Sequence, residues 1–360
     1  MAAVRHHVLL LGAGAIAQRV HLPFLAGAGV VGRLSVSDVD PAVARAAADH
    51  FGARVHAGPL EECPANVVWI CTPAHTHAEL ALRALRSGRD VVVEKPLALT
   101  ASDAEAVART ARVTGRRVSV CHSPRYRSDV ELLLHTARGG QLGELRHLSL
   151  RWSRRRGVPA TPGGRSVGVV WDLGSHLVNL AAGVLDRLPG EVRATAHTPV
   201  NDERHTAGWY GGERTRVPFD VPFFAAFTGS VVPRTGPLLD VAASWTAPTG
   251  VDLVEVDVVG SQARATLRTV FGFSPDRGRF TGPPLTLTDL LSGRCHPLDV
   301  DQLVEPVEYV RQLERALDLD IDPAVDLAHA VETVAVCEAL ASAATVGAEP
   351  IPTSARTPQP

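Results

Sequence analysis

Val8-Leu9-Leu10-Leu11-Gly12-Ala13-Gly14-Ala15-Ile16-Ala17 is the stretch whose reading decides the fold. Four consecutive apolar residues fit a short strand buried on both faces. The hexapeptide after them reads G-x-G-x-x-A and opens a helical pattern through Val20 and Leu25. In such a turn the first Gly permits the tight reversal and the second lets the backbone approach a pyrophosphate. The small third residue lets helix and strand pack closely. The phosphate charge would then rest on free N–H groups at the helix N-terminus. Gly12, Gly14, Ala15 and Ile16 are therefore candidate dinucleotide-binding residues. Alone the hexapeptide is weak evidence, because glycine-rich turns also serve packing.

Its surroundings strengthen the reading. Leu34–Ser37 reads as a second strand ending at Asp38, about twenty residues past the turn, where a dinucleotide fold places its ribose-binding acid. Asp38 would accept hydrogen bonds from the adenosine ribose and repel a 2′-phosphate, which favours NAD over NADP. The competing reading makes Asp38 a turn residue. Asp40-Pro41 is the better turn candidate, an N-cap with Pro at N1, for a helix to about Phe51 stopped by Gly52. Val67–Cys71 is the next buried strand and runs into Thr72-Pro73-Ala74-His75-Thr76-His77. Thr76 and Glu79 have the spacing of a capping box for a helix ending at Gly88. A strand through Val91, Val92 and Val93, a helix from Thr100 to Gly115 and the strand Val118–Cys121 follow. This alternation from residue 8 to 121 predicts a doubly wound parallel sheet.

Asp90-Val91-Val92-Val93-Glu94-Lys95-Pro96-Leu97 holds the one lysine of the chain; the other 35 of its 36 basic side chains are arginine. Such a bias resembles codon drift that replaces Lys wherever only positive charge is needed. Arginine does not lose its proton in a protein, whereas lysine shifts its pKa readily on burial. A position that kept its amine against that drift points to proton chemistry, although a chance surface lysine is the bland alternative. Lys95 also stands at the carboxyl end of a strand, the edge where open α/β sheets bind ligands.

The 360 residues suffice for two domains. A net charge of −2 gives no general attraction to nucleic acid or anionic membrane. Cysteines 63, 71, 121, 295 and 337 form neither a CxxC nor a zinc spacing, which fits a reduced cytoplasm without a disulfide framework. Ala15-Ile16-Ala17 imitates a signal-peptidase site, but Gly12 and Gly14 break the apolar run before it, so secretion is rejected. His75, His77 and His122 sit at separate loop positions without a compact ligand spacing. They read as loop histidines along the cofactor edge, and no metal is expected.

After His122 the pattern changes. Asp129–Arg138 reads as a helix and Leu145–Trp152 as a half-buried strand. Beyond a Gly/Arg/Pro-rich loop, Val170 to Leu185 has helical spacing. Asp172 and His176 are i and i+4 on one helix face. A carboxylate there raises the imidazole pKa and orients the ring, as a general acid/base requires. A structural ion pair explains the spacing equally well. Pro222–Phe227, Leu238–Trp245, Asp252–Val259 and Ala263–Val270 suggest a mostly antiparallel sheet whose apolar alternation exceeds what few helices can cover. Glu305–Leu317 and Pro323–Thr345 read as closing helices, residues 197–221 resist assignment, and the Pro-rich tail from Glu349 reads as frayed.

The strand–GxGxxA turn, Asp38, Cys71-Thr72-Pro73, Glu94-Lys95-Pro96 and Asp172-x-Gly174-x-His176 occur in the order of the glucose–fructose oxidoreductase / inositol dehydrogenase / MocA family, which the chain resembles over residues 6–350. The resemblance implies a Rossmann domain at 1–123 and an α/β domain with a large open sheet at 124–350, followed by a tail at 351–360. The 323–345 helix would pack back on the first domain, and homodimers or homotetramers would form through the sheet. It implies Lys95, Asp172 and His176 as the catalytic group, with Thr72, Pro73, His77 and Glu94 beside the cofactor. Trp171, Asn179, Arg125 and Arg127 fall on the substrate side. Family members often carry Asp three residues after the His, where this chain has Asn179, which cannot act as a base. Arg125, Arg127 and Arg154-Arg155-Arg156 either hold an anionic substrate group or form a solvated basic face. The expected activity is NAD-dependent hydride transfer at a ring carbon of a sugar or cyclitol, amino- or nucleotide-linked forms included. An imine or other carbonyl reductase and a non-enzymatic NAD-bound regulator are the alternatives, and the joint presence of Lys95, Asp172 and His176 argues against the regulator.

Overall fold

β1 (His6–Leu11) buries Val8, Leu9 and Leu10 completely, as a strand covered on both faces must. In the computed structural model the described residues are 6–154, 168–197, 206–207, 215–216, 224–230, 235–245, 251–274, 276–277, 282–300, 307–346 and 351–352. The chain divides into one unit of Met1–Ser123 with Glu308–Val334 and a second of Pro124–Val307 with Ala335–Pro360.

In the first unit, β1 passes through the glycine turn into a π-helical turn (Ala17–His21) and α1 (Leu22–Gly27). Then come β2 (Val31–Ser37), α2 (Pro41–Phe51), β3 (Arg54–Val55), β4 (Val67–Ile70) and α3 (His77–Arg86). β5 (Asp90–Glu94), α4 (Ala101–Thr114) and β6 (Val118–Cys121) complete the series. All strand pairs are parallel, in the order β3-β2-β1-β4-β5-β6, so the predicted doubly wound sheet is present. The Asp40 side chain caps α2 by accepting from Ala42 N–H at 2.8 Å, and Gly52 closes it in the left-handed region. The Thr76–Glu79 capping box does not form. The Thr76 hydroxyl serves the 3-10 turn before α3 instead, bonding the Pro73 carbonyl at 2.7 Å and the Thr72 hydroxyl at 2.6 Å.

The second unit starts with α5 (Ser128–Arg138), β7 (Leu145–Ser153), a π-helical turn (Val170–Gly174) and α6 (Ser175–Leu185). β8 (Glu191–His197) follows, then the short pair β9 (Thr206–Ala207) and β10 (Thr215–Arg216) inside the region that resisted assignment. β11 (Phe224–Ser230), β12 (Leu238–Ser244), β13 (Leu253–Gly260), β14 (Ala263–Thr269), β15 (Leu285–Asp289) and β16 (Cys295–Pro297) extend the sheet. α7 (Val307–Leu317) and α8 (Ala324–Val346) lead to β17 (Ile351–Pro352). The nine strands run β16-β15-β14-β13-β7-β12-β11-β8-β17, antiparallel throughout except for β7 with β12.

Two expectations need correction here. Ile351 and Pro352 of the tail are paired with Val192 and Glu191, because the outer edge of β8 offers unpaired backbone groups. Among the described residues, the apolar alternation of the central strands is also accounted for. Leu148, Leu150, Val254, Val256 and Val258 are completely buried on the sheet face where α5 meets β14 and α6 meets β7. The opposite face is polar, with ion pairs Arg264–Asp257 and Arg268–Glu255, both at 2.7 Å. No helix among the described residues is long and apolar enough to cross a membrane.

Candidate active site

The first unit gathers its polar residues where the strand order reverses, beyond the carboxyl ends of β1 and β4. Gly12 has φ +86°, and a Cβ there would lie 2.8 Å from Thr72 N and 2.9 Å from the Cys71 carbonyl carbon. The glycine turn thus rests directly on the backbone of the loop after β4. Asp38 braces its far side, accepting from Ala13 N–H on Oδ2 at 2.8 Å and from Asp40 N–H on Oδ1 at 2.9 Å. A carboxylate has lone pairs left for two hydroxyls after those bonds. Gly14 is exposed and a Cβ on it would meet nothing within 4 Å, so its backbone is open to an incoming ligand. Ala15 is exposed, Ile16 half-buried, and Ala17 fully buried against β1. An open cradle, an anchored acid and a strand switch point together fit a dinucleotide.

One strand further, Lys95 is half-buried at the carboxyl end of β5, and its backbone N–H donates to Glu94 Oε2 at 3.1 Å. His77 is 1% exposed, with Nδ1 at 2.7 Å from the Pro96 carbonyl and Nε2 at 2.7 Å from the Thr72 carbonyl. It supports the cofactor edge from behind rather than lining it. Burial holds its pKa below the usual histidine value, outweighing the two carbonyl contacts. Glu94 bonds His21 Nε2 through Oε1 at 2.7 Å. Burial pushes Glu94 upward, but the His21 hydrogen bond and the Lys95 charge more than offset it, leaving the carboxyl below its ordinary range.

In the second unit, Asp172 lies in the π-helical turn, His176 in the first turn of α6 and Asn179, 1% exposed, three residues on. Arg154 and Trp245 follow the ends of the parallel neighbours β7 and β12, and Arg154 N–H bonds the Ser244 carbonyl at 2.8 Å. Both aim at one oxygen. Arg154 Nη1 and Trp245 Nε1 each donate to Asp172 Oδ2 at 2.9 Å. Trp152, the last buried residue of β7, sets its ring 5.7 Å from that of His176 and meets Phe271 edge-on at 5.3 Å. Trp171 is buried, and its carbonyl accepts from the Ser175 hydroxyl.

The arginines expected on the substrate side separate. Arg127 is 3% exposed and clamps Asp129 through two bonds of 2.9 and 2.6 Å, with further bonds to Thr269 and Val270. That makes it a core tie between α5 and β14. Arg154 is 2% exposed and committed to Asp172, so it belongs neither to a solvated face nor to an anion site. Arg155 and Arg156 lie outside the described residues. Arg125 is half-buried, its guanidinium close to Gly183 of α6. Sequence reasoning passed over His21, Trp69, Trp152 and Trp245. An extended reading of the G-x-G-x-x-A helix could have found His21 from its place four residues after Ala17; nothing local marks the tryptophans as hydrogen-bond donors.

Comparison with known proteins identifies the family. Residues 6–122 match the model of an oxidoreductase family with an NAD-binding Rossmann fold, and residues 132–266 match the GFO/IDH/MocA C-terminal domain. A protein of Amycolatopsis mediterranei (strain S699), provisionally assigned as the oxidoreductase subunit of UDP-kanosamine synthase, is 29% identical over 324 residues, 87% of this chain and 88% of its own. Inositol 2-dehydrogenase of Rhizobium meliloti (strain 1021) is 30% identical over 203 residues, 56% of this chain and 61% of its own. Among solved structures, the WlbA dehydrogenase of Bordetella pertussis in complex with NADH and UDP-GlcNAcA shares the fold, with a TM-score of 0.75, 18% identity and coverage of 98% and 99%. The two matched segments span most of the sequence, and the chain belongs to the Gfo/Idh/MocA oxidoreductase family.

Proposed function

We propose that the chain is an NAD-dependent dehydrogenase acting on a secondary alcohol, or the matching ketone, of a sugar or cyclitol ring. The observation that carries the reading is Lys95, the one lysine, at the carboxyl end of β5, beside the switch point where Gly12 and Asp38 fit a dinucleotide. A bound dinucleotide, which Gly12, Gly14 and Asp38 would hold, would supply the hydride acceptor or donor for the ring carbon. His176 takes the hydroxyl proton as the carbonyl forms. Asp172, which accepts from Arg154 and Trp245, favours the imidazolium that results. The Lys95 ammonium stabilises the developing alkoxide. Arg125, half-buried, lies on the substrate side of this reading, while Trp171 and Asn179 are buried in the segment that carries Asp172 and His176.

Nucleotide-linked sugars belong in the substrate range, since the relative aligned over 87% of this chain is named for a UDP-kanosamine synthase. The chain works as a homo-oligomer in this reading, joined through the polar face of the nine-stranded sheet. There Ser149, Arg151, Arg193, Thr228 and Asp240 surround a concavity of about 520 Å³. A panel of inositols, aminocyclitols, free sugars and UDP-linked sugars and keto-sugars, followed by NADH absorbance in both directions, tests the function. Turnover of at least one ring alcohol or ketone is expected. Tight NADH binding with no turnover across the panel would overturn the reading in favour of a regulator.

A further inference from the structure

We infer that His21 and Trp69 are positioning residues that hold Glu94 and, through it, the Lys95 ammonium. The inference rests on the proposed role of Lys95 in hydride transfer and deepens it.

The argument starts from hydrogen-bond polarity. Trp69, fully buried in β4, donates its indole Nε1–H to His21 Nδ1 at 3.0 Å. An indole N–H can only donate, so His21 Nδ1 must accept and the ring proton must sit on Nε2. Nε2–H then donates to Glu94 Oε1 at 2.7 Å, while Oε2 receives the Lys95 backbone N–H at 3.1 Å. The chain of bonds runs in one direction from Trp69 to the residue before Lys95, and it presents Glu94 as a carboxylate. His21 reaches this position because the π-helical turn carries Val20, His21 and Leu22 all inward. The other titratable groups facing Glu94 are Lys95, His77, Cys71 and Cys121. Burial, and next the Glu94 charge, keep both thiols protonated. Lys95 is therefore among the charges that Glu94 faces, and the thiols are not.

The same atoms could be taken for a metal site, since donor atoms of His21, Glu94 and Cys121 lie within 4.8 Å of one another. Trp69 argues against it. A metal at Nε2 needs that nitrogen bare and Nδ1 protonated, which would set two N–H groups against each other. Cys121 as a thiol is likewise the wrong ligand form.

With one lysine in the chain, ¹³Cε-lysine labelling gives a single side-chain signal whose titration midpoint reports the charge around Lys95 without any substrate. In His21→Leu, the Glu94 carboxylate loses the donor that holds it in place, and its charge is no longer kept beside the ammonium. The midpoint is expected to fall by about one pH unit, tenfold in proton affinity. His21→Gln, which can donate an amide N–H to the same oxygen, should recover most of that shift. Trp69→Phe removes only the N–H. Histidine ¹⁵N spectra should show His21 protonated at Nε2 alone in the wild type and as two tautomers in this variant. Turnover should fall in His21→Leu and Trp69→Phe with the KM for NAD unchanged. An unmoved lysine midpoint in both variants, an Nδ1–H tautomer in the wild type, or zinc-dependent His21 signals would overturn the inference. A midpoint that moves as expected in a protein whose Lys95→Arg variant keeps full turnover refutes the catalytic role given to Lys95 and leaves the relay standing.

Discussion

The two glycines of the first turn should fail in opposite ways when each is replaced by alanine. Gly12 has φ +86°, and an added Cβ would press on Thr72 N at 2.8 Å and on the Cys71 carbonyl carbon at 2.9 Å. The left-handed conformation costs a non-glycine residue about 1–2 kcal/mol. Contact with the Cys71–Thr72 peptide adds about 1–3 kcal/mol of overpacking. A loss of about 2–5 kcal/mol corresponds to roughly 4–20 °C in melting temperature for a unit of this size. Gly14 has no such constraint, and its Cβ would meet nothing within 4 Å. Gly14→Ala should melt at or slightly above wild type, since the unfolded chain loses freedom worth up to about 1 kcal/mol. The methyl group instead fills the space a pyrophosphate needs, so NADH affinity should fall by about tenfold or more, 1.4 kcal/mol. Calorimetry and fluorescence titration of both variants check the pair. If Gly14→Ala binds NADH like wild type, the turn is not the phosphate cradle; if Gly12→Ala melts like wild type, the backbone contact with Thr72 is misplaced.

Lys95→Arg keeps the charge and should still lose about 10²–10⁴ in kcat, with NAD affinity retained, in steady-state and titration assays. NADH should bind more tightly than NADPH, and Asp38→Ser should narrow that difference in competition titrations. Arg154→Met leaves the Asp172 carboxylate with Trp245 as its remaining donor of the two described; breaking such a buried pair costs about 3–5 kcal/mol, readable by urea unfolding. His77 has its folded pKa below the unfolded value of 6.5, so between those two values only the unfolded chain binds the proton. Stability should therefore be complete above pH 6.5 and decline as pH falls through the folded pKa, and His77→Gln should flatten that decline in unfolding measured at several pH values.

The first sheet was legible because its signals are local. Val8–Leu11, Val67–Cys71 and Val91–Val93 are apolar runs with Gly12, Pro73 and Asp90 close beside them, and each became a parallel strand. Gly12 and Asp38 could be placed for the same reason, since turn geometry and residue spacing are written in neighbouring residues. The supports of the candidate site were hidden because their partners are remote in sequence. Trp69 reads as one more apolar strand residue, and only the fold brings His21, 48 positions earlier, to its indole N–H. Arg154 reads as the start of a basic run; its burial depends on the parallel neighbours β7 and β12 ending side by side. The π-helical turn at Val170–Gly174 also departs from the 3.6-residue period by which Asp172 and His176 were assigned to one face.

The division of the chain sets a schedule for biosynthesis. The first unit ends its opening segment at Ser123 and is completed by Glu308–Val334. At about 5–20 residues per second, a ribosome spends on the order of 10–40 s making what lies between. Through that interval β6 is the outer strand of a parallel sheet whose cover has not been synthesised. Gln312 Nε2 later donates to the Val120 carbonyl at 3.3 Å, and Arg117 Nη2 ties to the Asp318 and Ile321 carbonyls at 2.6 and 2.7 Å. Those groups arrive last, so the nascent nucleotide-binding half spends its first half-minute with an open flank, the stage at which a holding chaperone has most to protect.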